Sequence, residues 1–287
     1  MNEIGFIGLG RMGEPIVRHL MSKFMVSAVY NRTEEKIPSD LKQIAKSSPQ
    51  DVAKSSDVIF IIVTDSEASR EVVNKIIEGK VKNKLIVDMS TISFRQSIRN
   101  HETVHNSGNY YVDCPVIGSV PAAVSGKLTA VAGGRKEDFN RIKGMLETFS
   151  AKQIYAGKDG LGIALKLSNN LVMGTIMTAL SEGIILSQSM GIPYGTIVDA
   201  LQSGGAMSRL LDLKKDRIGN EDFSPEFSLG HQLKDLRYAI ELSQQIDTPH
   251  ISASAAESEF SLAMGEGKNK DLSYIFEYLK KQGKKDE

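Results

Sequence analysis

The N-terminal part of the chain alternates short apolar runs with amphipathic helical patterns, and this alternation limits the folds open to it. The predicted strands are Glu3–Gly8, Ser27–Tyr30, Asp57–Val63, Lys84–Asp88, Asn109–Cys114, Leu128–Ala132 and Gln153–Tyr155. The predicted helices between them are Glu14–Lys23, Glu67–Glu78, Ser93–His105 and Lys136–Phe149. Several strands are apolar at consecutive positions, as expected when helices cover both faces of a parallel sheet. The pattern therefore predicts an α/β fold with a doubly wound sheet.

Strand patterns end after Gly162, and the remaining sequence is typical of helices. The apolar pattern at residues 163–189 predicts one long helix, which Gly191 and Pro193 bring to an end. Further helices are predicted at Tyr194–Gln202, Ser208–Arg217, Leu229–Gln245, Ile251–Met264 and Leu272–Lys281. We therefore predict an α/β domain at residues 1–160, followed by an all-helical C-terminal domain at residues 161–287.

Composition argues against several classes of function. The 35 Lys and Arg residues balance 35 Asp and Glu residues, so no excess positive charge favours nucleic acid or an anionic membrane as a partner. The single cysteine, Cys114, cannot form an internal disulfide or a thiolate metal cluster. The N-terminus lacks the pattern of a targeting signal, and the longest apolar runs are about seven residues, against roughly 20 for a membrane span. We predict a globular, cytoplasmic protein without a metal.

A glycine-rich segment, Ile7 to Gly13, lies between the first predicted strand and the first predicted helix and fits the pattern G-x-G-x-x-G. In a dinucleotide-binding turn, the first glycine permits the tight turn, the second lets the backbone approach a pyrophosphate, and the third allows close helix–strand packing. The helix N-terminus adds N–H groups and a partial positive charge for the phosphates. We predict a Rossmann-type domain that binds a dinucleotide, rather than a purely structural turn, through Gly8, Leu9, Gly10, Arg11, Met12 and Gly13.

The end of the second predicted strand indicates which dinucleotide is bound. An NAD site usually places a carboxylate about 20 residues after the glycine loop for the ribose hydroxyls. This chain has Asn31, Arg32 and Thr33 there, and the first acid is Glu34. Arg32 can pair with the 2′-phosphate of NADP, and Asn31 and Thr33 can hydrogen-bond it. A charge-assisted hydrogen bond of this kind contributes about 1.5–3 kcal/mol. We predict a preference for NADPH over NADH; the alternative is that Arg32 is a solvated turn residue.

Three later segments resemble the β-hydroxyacid dehydrogenase family. Residues 113–119, DCPVIGS, are similar to the family's substrate-binding segment D-x-P-V-S-G-G. Residues 160–170 match G-x-G-x-x-x-K-x-x-x-N, with Lys166 and Asn170 at the last two positions of the pattern. Residues 227–236 resemble the family's segment that ends in K-D-L. The order and spacing of the segments match over nearly the whole chain, and the resemblance is closest to the glyoxylate/succinic semialdehyde reductases.

Lys166 and Asn170 stand four residues apart on a predicted helix, so they share one face and can reach a common ligand. Reduction of a carbonyl needs a hydride, which nicotinamide supplies, and a proton, which a positioned acid must supply. A lysine can act as this acid if partial burial lowers its pKa by about three units. We predict Lys166 as the general acid/base and Asn170 as a second catalytic residue; the alternative is a lysine that extends from an apolar helix to solvent.

The resemblance implies the remaining site residues and the reaction. Cofactor contacts are expected at Val63, Thr64, Thr91 and Lys234, and substrate contacts at Gly118, Ser119, Asn170, Phe227 and Asp235. The implied reaction is the NADPH-dependent interconversion of a small carboxylate-bearing aldehyde or keto acid, such as glyoxylate or succinic semialdehyde, and its hydroxy acid, in a cleft between the domains. Relatives are commonly homodimers or homotetramers, and the apolar helices after residue 163 would supply an interface. His231 is expected to pack or cap.

One departure from the family pattern affects the substrate. The family's serine is Ile117 here, and its loss removes a hydrogen-bond donor to a substrate carboxylate unless Ser119 replaces it. A 3-hydroxyisobutyrate dehydrogenase is the alternative within the family, and a non-catalytic NADPH-binding module is the alternative outside it. Lys166 with Asn170 argues against the non-catalytic module, and against an imine reductase.

A short motif suggests a different enzyme class. Residues 101–105, HETVH, fit the zinc-protease pattern H-E-x-x-H, in which two histidines bind the metal and the glutamate activates water. The third histidine of the longer motif would fall at position 111, which is Tyr111. The flanking sequence is polar and lies within the α/β pattern. We predict a solvated helix face rather than a zinc site.

Overall fold

A computed structural model describes residues 3–283 of the chain. The chain divides into two compact units, Met1–Leu167 and Ser168–Glu287. The first unit contains a mixed sheet with helices, and the regular elements of the second unit within residues 168–283 are helices. The prediction of an α/β fold with a Rossmann-type sheet followed by helices is confirmed.

The sheet of the first unit has eight strands. They are β1 (Ile4–Ile7), β2 (Val26–Tyr30), β3 (Val58–Ile61), β4 (Leu85–Asp88), β5 (Tyr110–Asp113), β6 (Val116–Ile117), β7 (Leu128–Gly133) and β8 (Ser150–Gly157). Their order is β2-β1-β3-β4-β5-β7-β6, and β8 pairs with β7. Strands β1 to β5 are parallel, β7 is antiparallel to both β5 and β6, and β8 is parallel to β7.

Helices alternate with these strands along the chain, as the sequence pattern predicts. They are α1 (Gly13–Met21), α2 (Pro49–Lys54), α3 (Ser66–Glu78), α4 (Phe94–Asn106), α5 (Val120–Val124) and α6 (Lys136–Leu146). Polar side chains fix where several of them begin: Asp65 accepts a hydrogen bond from the Ala68 N–H at the start of α3, and Ser93 caps α4 through the Gln96 N–H. Short 3₁₀ helices at Glu34–Lys36 and Ser39–Ile44, together with α2, α5 and β6, are absent from the sequence prediction.

The apolar core lies on both faces of the sheet, which explains why the central strands show no alternation of apolar and polar residues. Phe6 and Phe60 stack with their ring centroids 6.4 Å apart on one face. Ile7 and Ile59, their sequence neighbours, belong to a separate cluster of buried residues. Successive residues of a strand point to opposite faces, so a strand covered on both sides must be apolar throughout.

The second unit begins within one long helix, α7 (Leu161–Ser189), and continues with shorter helices. The others are α8 (Tyr194–Ser203), α9 (Arg209–Gly219), α10 (Leu229–Gln245), α11 (Ile251–Leu262), α12 (Met264–Gly267) and α13 (Tyr274–Gln282). Their core contains Met177, Ile184, Leu233, Phe260 and Phe276, all buried. The helix predicted at Ile251–Met264 ends at Leu262 in the structure, and Met264 begins the separate helix α12.

Helix α7 is the long apolar helix that the pattern at residues 163–189 predicts. Among the described residues it is the one helix that is long and apolar enough to cross a membrane, with a mean hydropathy of 1.3 over an 18-residue window. Polar residues such as Asn170 and Ser181 interrupt it, so no uninterrupted apolar run reveals it. A core helix of a globular protein has the same length and composition, and both Asn170 and Ser181 are fully buried here.

Candidate active site

The glycine loop between β1 and α1 has the geometry of a phosphate-binding turn at two of its three glycines. Gly8 has a φ of 102°, and a Cβ on it would lie 2.0 Å from the carbonyl oxygen of Ile62. A Cβ on Gly13 would lie 1.9 Å from the carbonyl oxygen of Gly8. Any side chain at either position would collide with backbone, so the fold itself requires these glycines.

The middle glycine is different. Gly10 is exposed, and no protein atom lies within 4 Å of the position that a Cβ would occupy. The fold therefore does not require a glycine there, whereas a ligand that approaches the backbone closely would require one. The space lies beside the N-terminus of α1, where unpaired N–H groups and the helix dipole favour a phosphate. The loop thus fits the pyrophosphate of a dinucleotide.

Asn31 connects this loop to the end of β2. Its side-chain oxygen accepts a hydrogen bond of 2.9 Å from the Leu9 N–H, and its amide donates one of 2.7 Å to the Thr33 carbonyl oxygen. Asn31 thus holds the loop in place, whereas Arg32 and Thr33 are exposed beside it. The structure brings together the loop residues and Asn31, and it leaves the Arg32 side chain at the surface.

The ends of β3 and β4 are joined by a serine. The Val63 N–H donates to Ser90 Oγ at 2.9 Å, and the Ser90 N–H donates to the carboxylate of Asp88 at 2.9 Å. Asp88 is fully buried, and burial raises its pKa against the opposing effect of hydrogen bonds from Ser69, Ser90 and Tyr111. The segments that contain Val63, Thr64 and Thr91 are therefore fixed by a polar network that the sequence reasoning missed. The sequence signal for this network was Asp88, an aspartate at the end of an otherwise apolar strand.

The predicted substrate-binding segment begins inside the protein and ends at its surface. Asp113 and Cys114 are buried, and burial raises the pKa of the Cys114 thiol. Ile117 is half-buried in β6, where it pairs with Thr129 of β7. Gly118 is exposed and has a φ of 127°, a conformation that favours glycine. Ser119 follows it immediately before α5.

Asp113 fixes the first turn of α7, the helix that carries Lys166. Its carboxylate accepts hydrogen bonds from the Gly160 N–H at 2.9 Å and from the Ile163 N–H at 2.8 Å. A Cβ on Gly162 would lie 2.6 Å from the Asp113 carbonyl oxygen, so only glycine lets the helix come this close. Lys166 follows Ile163 by about one turn and is only 7% exposed.

Three further predicted residues meet within the second unit. Asn170 is fully buried and donates a hydrogen bond of 2.6 Å to the carboxylate of Asp235. The ammonium group of Lys234 lies 2.8 Å from the other oxygen of the same carboxylate. The Asn169 amide donates to the Asn170 side-chain oxygen at 2.9 Å, and Gln232 donates to its backbone carbonyl at 2.8 Å. In this structure, Asp235 orients Asn170 and Lys234.

Phe227 and His231 lie at the start of α10, with their rings stacked 6.2 Å apart. The Phe227 N–H donates to the carboxylate of Asp271 at 3.3 Å. Asp271 also pairs with the ammonium group of Lys214 at 2.9 Å, and both side chains are buried. This ion pair positions the Phe227 segment, and the sequence reasoning missed it because its two members are distant along the chain.

The prediction of a solvated face for residues 101–105 is wrong for His101. Its side chain is 2% exposed and its Nε2 lies 2.7 Å from the carboxylate of Asp113, whereas Glu102 is exposed. Among residues 3–283 the structure contains no group of three or more potential metal ligands from His, Cys, Asp and Glu. His101 therefore belongs to the network around Asp113.

Comparison with known families agrees with this geometry. Residues 3–157 match the model for the NAD-binding domain of 6-phosphogluconate dehydrogenase. Residues 160–279 match the model for the NAD-binding region of NADP-dependent 3-hydroxyisobutyrate dehydrogenase. The chain belongs to the β-hydroxyacid dehydrogenase family. It is an NAD(P)-dependent enzyme that acts on a CH–OH group or the corresponding carbonyl.

Individual relatives cover nearly all of the chain. Glyoxylate/succinic semialdehyde reductase 2 (chloroplastic) of Arabidopsis thaliana is 31% identical over 96% of this chain and 79% of its own length. The 3-hydroxyisobutyrate dehydrogenase of Mycobacterium tuberculosis, solved with L-serine, has the same fold, with a TM-score of 0.90 at 23% identity over 97% of this chain and 99% of its own. Psf3, solved with NADP+ and 2-OPP, has a TM-score of 0.84 at 28% identity, over 96% of this chain and 99% of its own.

Proposed function

We propose that the protein is an NADPH-dependent reductase of a small carboxylate-bearing aldehyde or keto acid, such as glyoxylate or succinic semialdehyde. The observation that carries the proposal is the buried Lys166, which lies about one turn beyond a helix start that Asp113 holds in place. The name of the plant relative at 31% identity supports the substrate class. The reverse oxidation of the hydroxy acid uses the same residues.

Bound NADPH would supply the hydride. Lys166 would donate the proton to the carbonyl oxygen, and its ammonium form would attract the substrate carboxylate and stabilise negative charge on the oxygen. Asn170 would hold the substrate, because Asp235 fixes the orientation of its amide. Burial of Lys166 excludes bulk water, which strengthens each of these electrostatic effects.

We propose that the enzyme prefers NADPH to NADH. Arg32 is exposed at the carboxyl end of β2, where the second ribose of the dinucleotide would lie, and it can pair with a 2′-phosphate. Asn31 is already engaged in holding the glycine loop. The preference therefore depends chiefly on Arg32, and the NADP+ bound to Psf3 supports it.

Ile117 sets the substrate apart from that of relatives with a serine in its place. An isoleucine offers no hydrogen bond to a carboxylate, and Ser119 is the nearby hydroxyl that can replace the missing donor. We propose that Ser119 and Gly118 bind the substrate carboxylate and that Ile117 contacts its apolar part.

Substrate and cofactor can be identified in one assay. NADPH and NADH oxidation would be followed with glyoxylate, succinic semialdehyde and methylmalonate semialdehyde, using the wild type, Lys166→Ala and the exposed control Lys158→Ala. We expect turnover of glyoxylate or succinic semialdehyde with NADPH, its loss in Lys166→Ala, and its retention in Lys158→Ala. Selective turnover of methylmalonate semialdehyde would identify a 3-hydroxyisobutyrate dehydrogenase instead. Tight NADPH binding without turnover of any substrate would identify a binding module.

We also propose that the enzyme is a homodimer or homotetramer. Val172, Leu186 and Met190 are 53%, 68% and 77% exposed along or just after α7, and large apolar side chains of this exposure are typical of an interface. Light scattering of the purified protein would give a mass of two or four chains. A monomer at micromolar concentration would refute the proposal.

A further inference from the structure

His101 of α4 is a buried titratable group to which the proposed reaction gives no role. The residue is 1% exposed, and its Nε2 lies 2.7 Å from Asp113 Oδ1. Its Nδ1 lies 3.3 Å from Asp159 Oδ1 but is not aligned for a hydrogen bond. The ring packs edge-on against Tyr111, with centroids 4.6 Å apart, and against His105 at 5.9 Å. The Nε2 contact with a buried carboxylate and the two ring contacts together fix the orientation of the imidazole.

The partner of His101 is the residue that fixes α7. Asp113 Oδ1 accepts hydrogen bonds from His101 and the Gly160 N–H, and Oδ2 accepts one from the Ile163 N–H. The carboxylate is inaccessible to solvent, so no water can replace a donor that is lost. His101 therefore supplies one of the three hydrogen bonds that hold this carboxylate in place.

The Asp113 carboxylate has little free space around it where it meets the first turn of α7. A Cβ on Gly133 would lie 2.8 Å from both carboxylate oxygens and 2.5 Å from the Gly162 nitrogen. The Asp113 carboxylate therefore packs closely against the Gly133 backbone and the first turn of α7. Lys166 stands about one turn beyond Ile163, whose N–H is bound to the same carboxylate.

We propose that His101 is a positioning residue for the proton transfer: it holds Asp113 against the first turn of α7 and thereby fixes the location of Lys166. The inference rests on the proposed function of Lys166. It assigns a reaction-specific role to a histidine that the H-E-x-x-H pattern had suggested as a metal ligand. A misplacement of about 1 Å in a catalytic group costs roughly 100-fold in rate.

The test uses two substitutions at His101 and a matched control. His101→Gln keeps a donor that can reach Asp113, because its side-chain nitrogen extends about as far as Nε2, whereas the amide of His101→Asn is too short. His105→Gln is the control, since His105 occupies the next turn of α4 and contacts the His101 ring but is not hydrogen-bonded to Asp113. For each variant we would measure the single-turnover rate of NADPH oxidation, the Kd for NADPH and the midpoint of thermal unfolding.

We expect His101→Asn to lower the single-turnover rate about tenfold to 100-fold, with the Kd for NADPH changed less than about twofold. His101→Gln should recover most of the rate, and His105→Gln should match the wild type. A purely structural histidine would lower the unfolding temperature in both His101 variants without separating their rates. Equal rates in His101→Asn and His101→Gln, per folded enzyme, would therefore overturn the proposal, whether or not they match the wild type.

A failure of this inference can be distinguished from a failure of the proposed function. If Lys166→Ala retains the wild-type rate, the proposed function is wrong and His101 has nothing to position. If Lys166→Ala is inactive while His101→Asn retains the wild-type rate, only the positioning role is wrong. If neither His101 variant folds, His101→Gln has failed to replace the histidine donor and the proposal is overturned.

Discussion

The contact between Gly162 and Asp113 supports a prediction with a magnitude set by the structure. In Gly162→Ala, the new Cβ would lie 2.6 Å from the Asp113 carbonyl oxygen, 2.7 Å from its carboxylate and 2.7 Å from the Gly133 nitrogen. Ordinary contact begins at 3.4 Å, so α7 must retreat by roughly 0.8 Å or Asp113 must move by a similar distance. Two of the three atoms are backbone, which leaves little freedom for relaxation.

The expected cost follows from two opposing effects. Alanine in a helix is favoured over glycine by about 0.8–1 kcal/mol, because glycine loses more backbone entropy. Overpacking a rigid site costs about 1–3 kcal/mol, and stretching the hydrogen bonds from Gly160 and Ile163 to the buried Asp113 adds to this cost. The net expectation is a loss of about 1–3 kcal/mol in the free energy of unfolding, together with a fall in turnover as Lys166 shifts.

Urea denaturation measures this difference directly. Gly144→Ala is the matched control, because Gly144 lies in helix α6 of the same unit and no atom lies within 4 Å of its added Cβ. It should gain up to about 1 kcal/mol without a change in turnover. If Gly162→Ala is as stable and as active as Gly144→Ala, the close approach of α7 to Asp113 does not exist in solution.

Three further predictions concern charges. Arg32→Ala should raise the KM for NADPH at least about tenfold and leave that for NADH nearly unchanged; equal effects would show that Arg32 does not contact a 2′-phosphate. Burial and the neighbouring Glu182 carboxylate raise the pKa of Glu259 from 4.5 to about 7. The free energy of unfolding therefore falls as pH rises between these two values, because the folded state disfavours the charged carboxylate. Glu259→Gln should therefore gain about 1 kcal/mol of stability at pH 8, after allowance for partial exposure, and nothing at pH 4, as urea denaturation at the two pH values would test. Lys214→Met should lose about 3–5 kcal/mol in the same assay, because it leaves the buried Asp271 carboxylate unpaired, and a loss below about 1 kcal/mol would contradict this.

The sequence predicted the parts of the fold whose signals are local. Apolar strands, helix periodicity and the glycine loop each depend on residues close together in the chain, and they sufficed for the α/β architecture and for the tight turn between β1 and α1. The binding of a phosphate by this turn stays a prediction. Strand β6 has two residues and helix α5 has five, so neither is long enough to show a period. The catalytic role of Lys166 stays a prediction. The burial of Lys166 and its position in the chain agree with that role but do not test it.

The misinterpretation of residues 101–105 has a physical cause. The buried face of α4 consists of Ser97, Asn100, His101 and Val104, of which only one is apolar. Hydrophobic periodicity therefore assigns this face to solvent, although Asn100 donates to the Tyr111 hydroxyl and His101 binds Asp113. Buried polar partners that are distant along the chain carry no local signal, and they become apparent only when the fold brings them together.

The rate of hydride transfer from NADPH to glyoxylate or succinic semialdehyde in a single turnover tests the central claim most directly, with Lys166→Ala compared with Lys158→Ala. We predict that Lys166→Ala binds NADPH as the wild type does and transfers hydride about 10²–10⁴-fold more slowly, because the general acid is missing. Lys158→Ala should match the wild type. Wild-type hydride transfer in Lys166→Ala would contradict the account, since the proton would then come from another group.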